Sequence, residues 1–143
     1  LEEMQRRVAD EKLDQVVLKG FVEKKYIPYI LSRSSVNILN YSQSQYNWSR
    51  GNSSNKLFEY MASGKPVIST VKMGYCILDR YQCGLSLEEC TPQALADEIL
   101  KIYDMPDETY IRMSENAREG AKDFDFSVLT ERLYQVIQSV EKN

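Results

Sequence analysis

The sequence predicts an α/β domain, a Rossmann-like parallel sheet with helices on both faces, spanning residues 1–143 as one unit. Three observations carry this. Short apolar runs alternate with segments whose apolar residues recur every three or four positions. Glycine and proline punctuate the runs at strand and helix ends. The chain of 143 residues, 43% of them hydrophobic, is long enough to bury a sizeable core.

The elements follow in order. Leu1, Met4 and Val8 share one helical face. No capping residue precedes Leu1, so the expectation is a piece of a longer protein. Val16-Val17-Leu18, ended by Gly20, reads as a buried strand. Tyr26 to Ser34 places Ile27, Ile30 and Leu31 on one helical face, and Pro28 is tolerated in its first turn. Val36 to Leu39 is a second strand. Residues 41–53 are polar, rich in Ser, Asn, Gln and Tyr, and without period. They form a long loop, and long loops in compact domains are often functional. Ser54 to Ser63 is a helix burying Leu57, Phe58, Met61 and Ala62, with Gly64 as a left-handed stop and Pro66 beyond it. Val67 to Thr70 is a third strand, Cys76 to Tyr81 a short helix, and Leu85 to Leu87 a brief fourth strand. Thr91-Pro92 opens a helix with Leu95, Ala96, Ile99, Leu100 and Tyr103 in register. Closing helices occupy 107–143. The first carries Tyr110, Met113, Ala117, Ala121 and Phe124. The second is capped by Ser127 and carries Leu129, Leu133, Val136, Ile137 and Val140.

Composition narrows the chemistry. There is no histidine, which removes His-dependent nucleophile systems and His-ligated metal sites. A net charge of -3 argues against a nucleic-acid partner. Cys76, Cys83 and Cys90 are odd in number and form no C-x-x-C pair, so they read as thiols in a reducing cytoplasm. No apolar run approaches the ~18 residues of a membrane span.

In a parallel sheet, ligands bind beyond the carboxyl ends of the strands. Three segments meet that rim: Gly20 to Glu23, Tyr41 to Asn55, and Thr70 to Tyr75. The second leads into Gly51-Asn52-Ser53-Ser54-Asn55-Lys56, small and polar residues entering a helix. The first N–H groups of a helix point outward, its dipole is positive there, and small residues let a phosphate approach. Lys56 adds a full charge. Residues 50–65 hold Arg50, Lys56 and Lys65 against Glu59 alone among acids, a basic stretch in an acidic chain. Asn55 and Glu59 are four apart and share a face, where a carboxylate can accept two bonds from a ribose diol. Glu59 merely solvated or paired with Lys56, and Ser53 or Ser54 as an ordinary cap, fit the spacing equally. Gly51-x-x-x-x-Lys56 lacks the second glycine and the Ser/Thr of a P-loop. Asp123-Phe124-Asp125 sits at a helix junction, where a solvated helix end outweighs a metal site. Tyr41, Tyr46 and Trp48 could stack on a base or sugar or pack over the domain edge.

Asn55-Lys56-Leu57-Phe58-Glu59-Tyr60-Met61-Ala62-Ser63-Gly64-Lys65-Pro66-Val67-Ile68 resembles the signature of the group 1 glycosyltransferases, retaining enzymes of the two-domain GT-B fold. It is most similar to members that build capsular and O-antigen polysaccharides, which carry S-P-N-K-L-F-E-Y; Ser54 stands here for the proline. Val16 to Val22, Met113 to Arg118 and Phe126-Ser127 resemble flanking parts of the same family.

The resemblance implies a C-terminal domain that binds a nucleoside-diphosphate-sugar donor for a hexosyltransferase of cell-surface polysaccharide synthesis. Glu59 matches the second Glu of the family's E-x7-E motif and would hold the ribose. The first falls on Gly51, a departure that leaves its sugar-facing role unassigned. Gly51, Asn52, Ser53, Ser54, Asn55 and Lys56 would contact the diphosphate, and the backbone of Phe21 and Val22 the base. No metal and no cofactor are expected, the helix dipole and basic side chains stabilising the leaving group instead. The family's strand-helix-strand unit of about 30 residues ahead of Leu1, and the N-terminal acceptor domain, are expected elsewhere in the parent chain. The piece alone would then be inactive. The enzyme would be cytoplasmic, brought to the inner membrane face by a lipid-linked acceptor. The competing expectation is a non-catalytic α/β protein-interaction module.

Overall fold

The computed structural model describes residues 1–41 and 54–141. Helix α1 (Glu2–Asp10) comes first, then a 3-10 turn (Lys24–Tyr26), α2 (Ile27–Arg33), β1 (Asn37–Leu39), α3 (Asn55–Ala62) and β2 (Val67–Ser69). The chain continues through α4 (Ile77–Tyr81), β3 (Gly84–Ser86), α5 (Pro92–Tyr103), α6 (Asp107–Lys122) and α7 (Phe126–Glu141).

The three strands form one parallel sheet in the order β1-β2-β3. Asn37 lies opposite Val67 and Val67 opposite Gly84, which fixes the register. Because side chains alternate along a strand, Leu39 and Val67 share one face and Ile68 takes the other. Each strand is only three residues long, so its stability comes from burial of the apolar run. Leu39, Leu57, Met61, Val67, Ile77, Leu78, Cys83 and Ala117 form the core, with Phe58, Tyr81 and Phe124 packed against it. Each such fully buried large side chain contributes about 1.5–3 kcal/mol relative to exposure.

Two glycines are dictated by geometry. Gly64 ends α3 at φ +66°, in the left-handed region the sequence predicted for it. Gly84 lies so close to β2 that an added Cβ would sit 2.0 Å from the Val67 carbonyl oxygen.

Five expectations need correction. Val16-Val17-Leu18 is not a strand. A strand requires a neighbour for its backbone, and here the Val16 N–H turns back to the Leu13 carbonyl at 2.9 Å. Val17 is 69% exposed and α1 buries no residue, so this apolar run stands outside the core. The cap of α7 is Asp125, not Ser127: its Oδ1 accepts from the Ser127 N–H at 2.8 Å. In α3, Leu57 and Met61 are buried and Phe58 is half-buried, but Ala62 is exposed, facing away from the sheet. In α5 the buried residue is Ile102, while Leu100 and Tyr103 are exposed. The register residues of α7, including Leu133, Val136 and Val140, are exposed as well.

Candidate functional site

Two adjacent parallel strands joined by one helix force that helix to run antiparallel to them. The N-terminus of α3 therefore stands at the carboxyl edge of the sheet, beside the ends of β1 and β2. Ser54 occupies the N-cap with extended backbone and makes no side-chain cap bond. The first intrahelical bond is Leu57 N–H to the Ser54 carbonyl at 2.9 Å, so the amides of Asn55 and Lys56 precede the helical ladder. Asn55 and Lys56 are exposed and Ser54 is half-buried. Gly51, Asn52 and Ser53, together with Tyr46 and Trp48, lie outside the described residues.

Thr70 ties the two strand ends together. Its Oγ1 accepts from the Tyr41 N–H at 2.8 Å and lies 2.9 Å from the Tyr41 carbonyl oxygen. The Thr70 N–H donates to Leu39 at 3.1 Å. The chain entering the 42–53 segment is thus anchored to β2 at its last described residue.

One turn into α3, Glu59 lines a cavity of about 330 Å³ between α2 and α3. Lys24 lines it as well, and Ile27, Pro28 and Leu31 form an apolar wall. Among the described residues neither Glu59 nor Lys56 nor Lys24 is in an ion pair, so Glu59 is not neutralised by Lys56. Lys25 is occupied with Glu23 at 2.8 Å. A carboxylate, an ammonium and an apolar wall therefore share one recess. Such a recess suits a flat, partly apolar ligand with hydroxyls at one end. Burial, and then the negative charge of Glu59, push the neighbouring Tyr60 phenol up, so it stays protonated.

A buried polar chain fixes the spacing of the two helices. Asn37, only 6% exposed, donates from Nδ2 to Ser63 Oγ at 3.0 Å. Ser63 Oγ donates to the Tyr60 carbonyl at 2.6 Å. On the α2 side, Ser34 Oγ lies 2.8 Å from Asn37 Oδ1 and 2.7 Å from the Leu31 carbonyl oxygen.

Glu59, Asn55 and Lys56 are thus brought together on α3. Phe21 and Val22 do not line the cavity: Phe21 is 91% exposed and Val22 half-buried, upstream of the turn that carries Lys24. No motif in the sequence marks Lys24. Its signal was faint, a Lys-Lys pair four residues before a first-turn proline. Asp123 and Asp125 are committed to the α6–α7 junction, Asp123 with Tyr81 and Arg132, and Asp125 with Ser127.

With fold and site in view, the class follows: residues 1–120 match the family described as glycosyl transferases group 1, and the chain belongs to that family. A solved structure adds a distant likeness of fold. Sucrose-phosphate synthase from Thermosynechococcus elongatus superposes with a TM-score of 0.72 at 20% identity, covering 99% of this chain and 34% of that one. The chain therefore spans about a third of that enzyme's length. No curated sequence matches significantly. The domain is a small parallel sheet flanked by helices, as in one half of the GT-B architecture.

Proposed function

We propose that this chain is the donor-binding domain of a retaining glycosyltransferase that uses a nucleoside-diphosphate sugar in cell-surface polysaccharide synthesis. The supporting observation is the juxtaposition on α3 of an exposed helix N-terminus and, one turn on, a carboxylate in no ion pair among the described residues, facing an apolar recess. A nucleotide has the matching order: diphosphate, ribose, base. Glu59 accepts two hydrogen bonds from the ribose diol. The Gly51 to Lys56 stretch holds the diphosphate, using amides and the Lys56 ammonium in place of a metal. The base lies against Ile27, Pro28 and Leu31, with Lys24 as its polar contact. As the bond to the sugar breaks, negative charge builds on the diphosphate, and the helix dipole and Lys56 stabilise it most at that moment. The acceptor domain and the remaining diphosphate contacts belong to the rest of a larger enzyme. That enzyme works in the cytoplasm, at the inner membrane face when its acceptor is lipid-linked.

Gly51 in place of the motif's first Glu favours a second reading, an α/β protein-interaction module that has lost donor chemistry. Calorimetric titration with UDP, GDP and the free nucleosides separates the two. The donor reading expects binding of a nucleoside diphosphate, weakened about fivefold by Lys56→Ala, with the nucleoside unaffected by that substitution. No binding of either diphosphate would leave the module.

A further inference from the structure

Helix α2 is apolar on two opposite sides. Ile27, Pro28 and Leu31 line the recess at Glu59. By helical spacing Tyr26, the N-cap, stands with Tyr29, Ile30 and Arg33 on the other side. Tyr26, Tyr29 and Ile30 are 49%, 68% and 44% exposed, and α2 buries no residue. We propose that this outer face docks on an anionic lipid surface, with headgroup phosphates meeting its cations and the tyrosine rings lying at the headgroup boundary.

Charge selects the surface. Residues 19–33 hold Lys19, Lys24, Lys25 and Arg33 against Glu23 alone among acids, in a chain of net charge -3. Helix α2 itself contains no acidic residue. Among the described residues Arg33 enters no ion pair. Lys25 pairs with Glu23 at 2.8 Å, but both side chains are exposed, and such a pair contributes little and exchanges readily for a phosphate. The Lys25 ammonium also lies 5.0 Å from the centre of the Tyr26 ring, so cation and aromatic ring are presented together. A flat anionic surface meets this basic segment alone, whereas a nucleic acid running along the chain would also meet its acidic remainder.

Size and residue type decide between lipid and protein. Four side chains on a helix of 7 residues cover far less than the about 800 Å² per partner of a stable protein interface. A lipid surface needs no matching relief. Tyrosine rings bury their carbon frame there and keep the hydroxyl wet, while Lys25 and Arg33 lay their stems on the apolar boundary and their charges among the phosphates. One such contact is weak and reversible, as suits a peripheral protein. The contact stands on α2 alone and does not need the donor reading. Where both hold, lipid and donor lie on opposite sides of one helix, about 10 Å apart.

Co-sedimentation of the 143-residue chain with vesicles tests this, comparing phosphatidylcholine alone with phosphatidylcholine carrying about 30% phosphatidylglycerol. The expected result is a partition at least about fivefold stronger onto the anionic vesicles, lost when salt rises from about 50 to about 500 mM. Arg33→Gln and Tyr29→Ser should each weaken it about fivefold, while Tyr29→Trp retains it. Both residues are exposed, so circular dichroism and the urea midpoint should not change in these variants. No partition onto anionic vesicles, equal partition onto neutral ones, or partition unchanged in both Arg33→Gln and Tyr29→Ser would overturn the proposal. So would binding of single-stranded poly-U as tight as that of the vesicles and equally weakened by Arg33→Gln, which would mark a polyanion site. UDP and GDP titrations keep the two readings apart, since Tyr29→Ser leaves nucleotide affinity unchanged and a failed nucleotide site leaves the vesicle partition intact.

Discussion

Asn37 at the start of β1 donates a hydrogen bond to Ser63 at the end of α3 across 3.0 Å, and this bond sets the width of the recess in which Glu59 stands. Both ends of the Asn37 amide are used, Nδ2 towards α3 and Oδ1 towards Ser34 on the α2 side. Removing a buried amide strands its partners. Asn37→Ala is expected to cost about 2 kcal/mol, read as a lower urea midpoint with an unchanged slope.

Acid should loosen the other end of the domain. The hydrogen bond from Tyr81, at 2.5 Å, holds the Asp123 carboxyl below its usual range, and Arg132 adds to the effect. The folded state then takes up the proton less readily than the unfolded chain. The stabilisation is present above the unfolded pKa of about 3.9 and is lost as pH falls through the lower folded value. Denaturation midpoints across that window should fall less steeply in Asp123→Asn than in the parent chain.

Thiol reactivity should sort by burial. Burial pushes the Cys83 thiol up to about 12, whereas Cys90 is exposed. Iodoacetamide at about pH 8 should label Cys90 quickly and leave Cys83 untouched until urea unfolds the chain, because only the thiolate reacts. Mass spectrometry of the alkylated protein reads the order. Equal native rates at the two sites would contradict the packing of Cys83 against Leu78 and Val67 in the core.

Much of the sheet is legible in the sequence. Pro66 and Gly64 bracket the turn from α3 into β2, and the apolar runs at Ile38, Ile68 and Leu85 fall in the three strands. The local features of α3 were readable because glycine, proline and helical spacing act within a few residues. Val16-Val17-Leu18 misled because an apolar run states only a preference for burial; whether another strand stands beside it is a tertiary matter. The same limit hid Lys24 and Asn37. Lys24 meets Glu59 only when α2 packs on α3, and nothing in the spacing from 24 to 59 announces it. The α7 cap was misplaced by two residues, since Asp125 and Ser127 are both good caps and only the backbone decides between them.

Glu59 is exposed, so replacing it should leave the core undisturbed. Calorimetric titration of UDP and GDP into the chain, with Glu59 intact and with Glu59→Ala, measures its role directly. Saturable binding of one of the two is expected, weakened by about 1.5–3 kcal/mol, or roughly 10- to 150-fold, in Glu59→Ala. An affinity unchanged by Glu59→Ala would contradict the assignment of that carboxylate to the ribose.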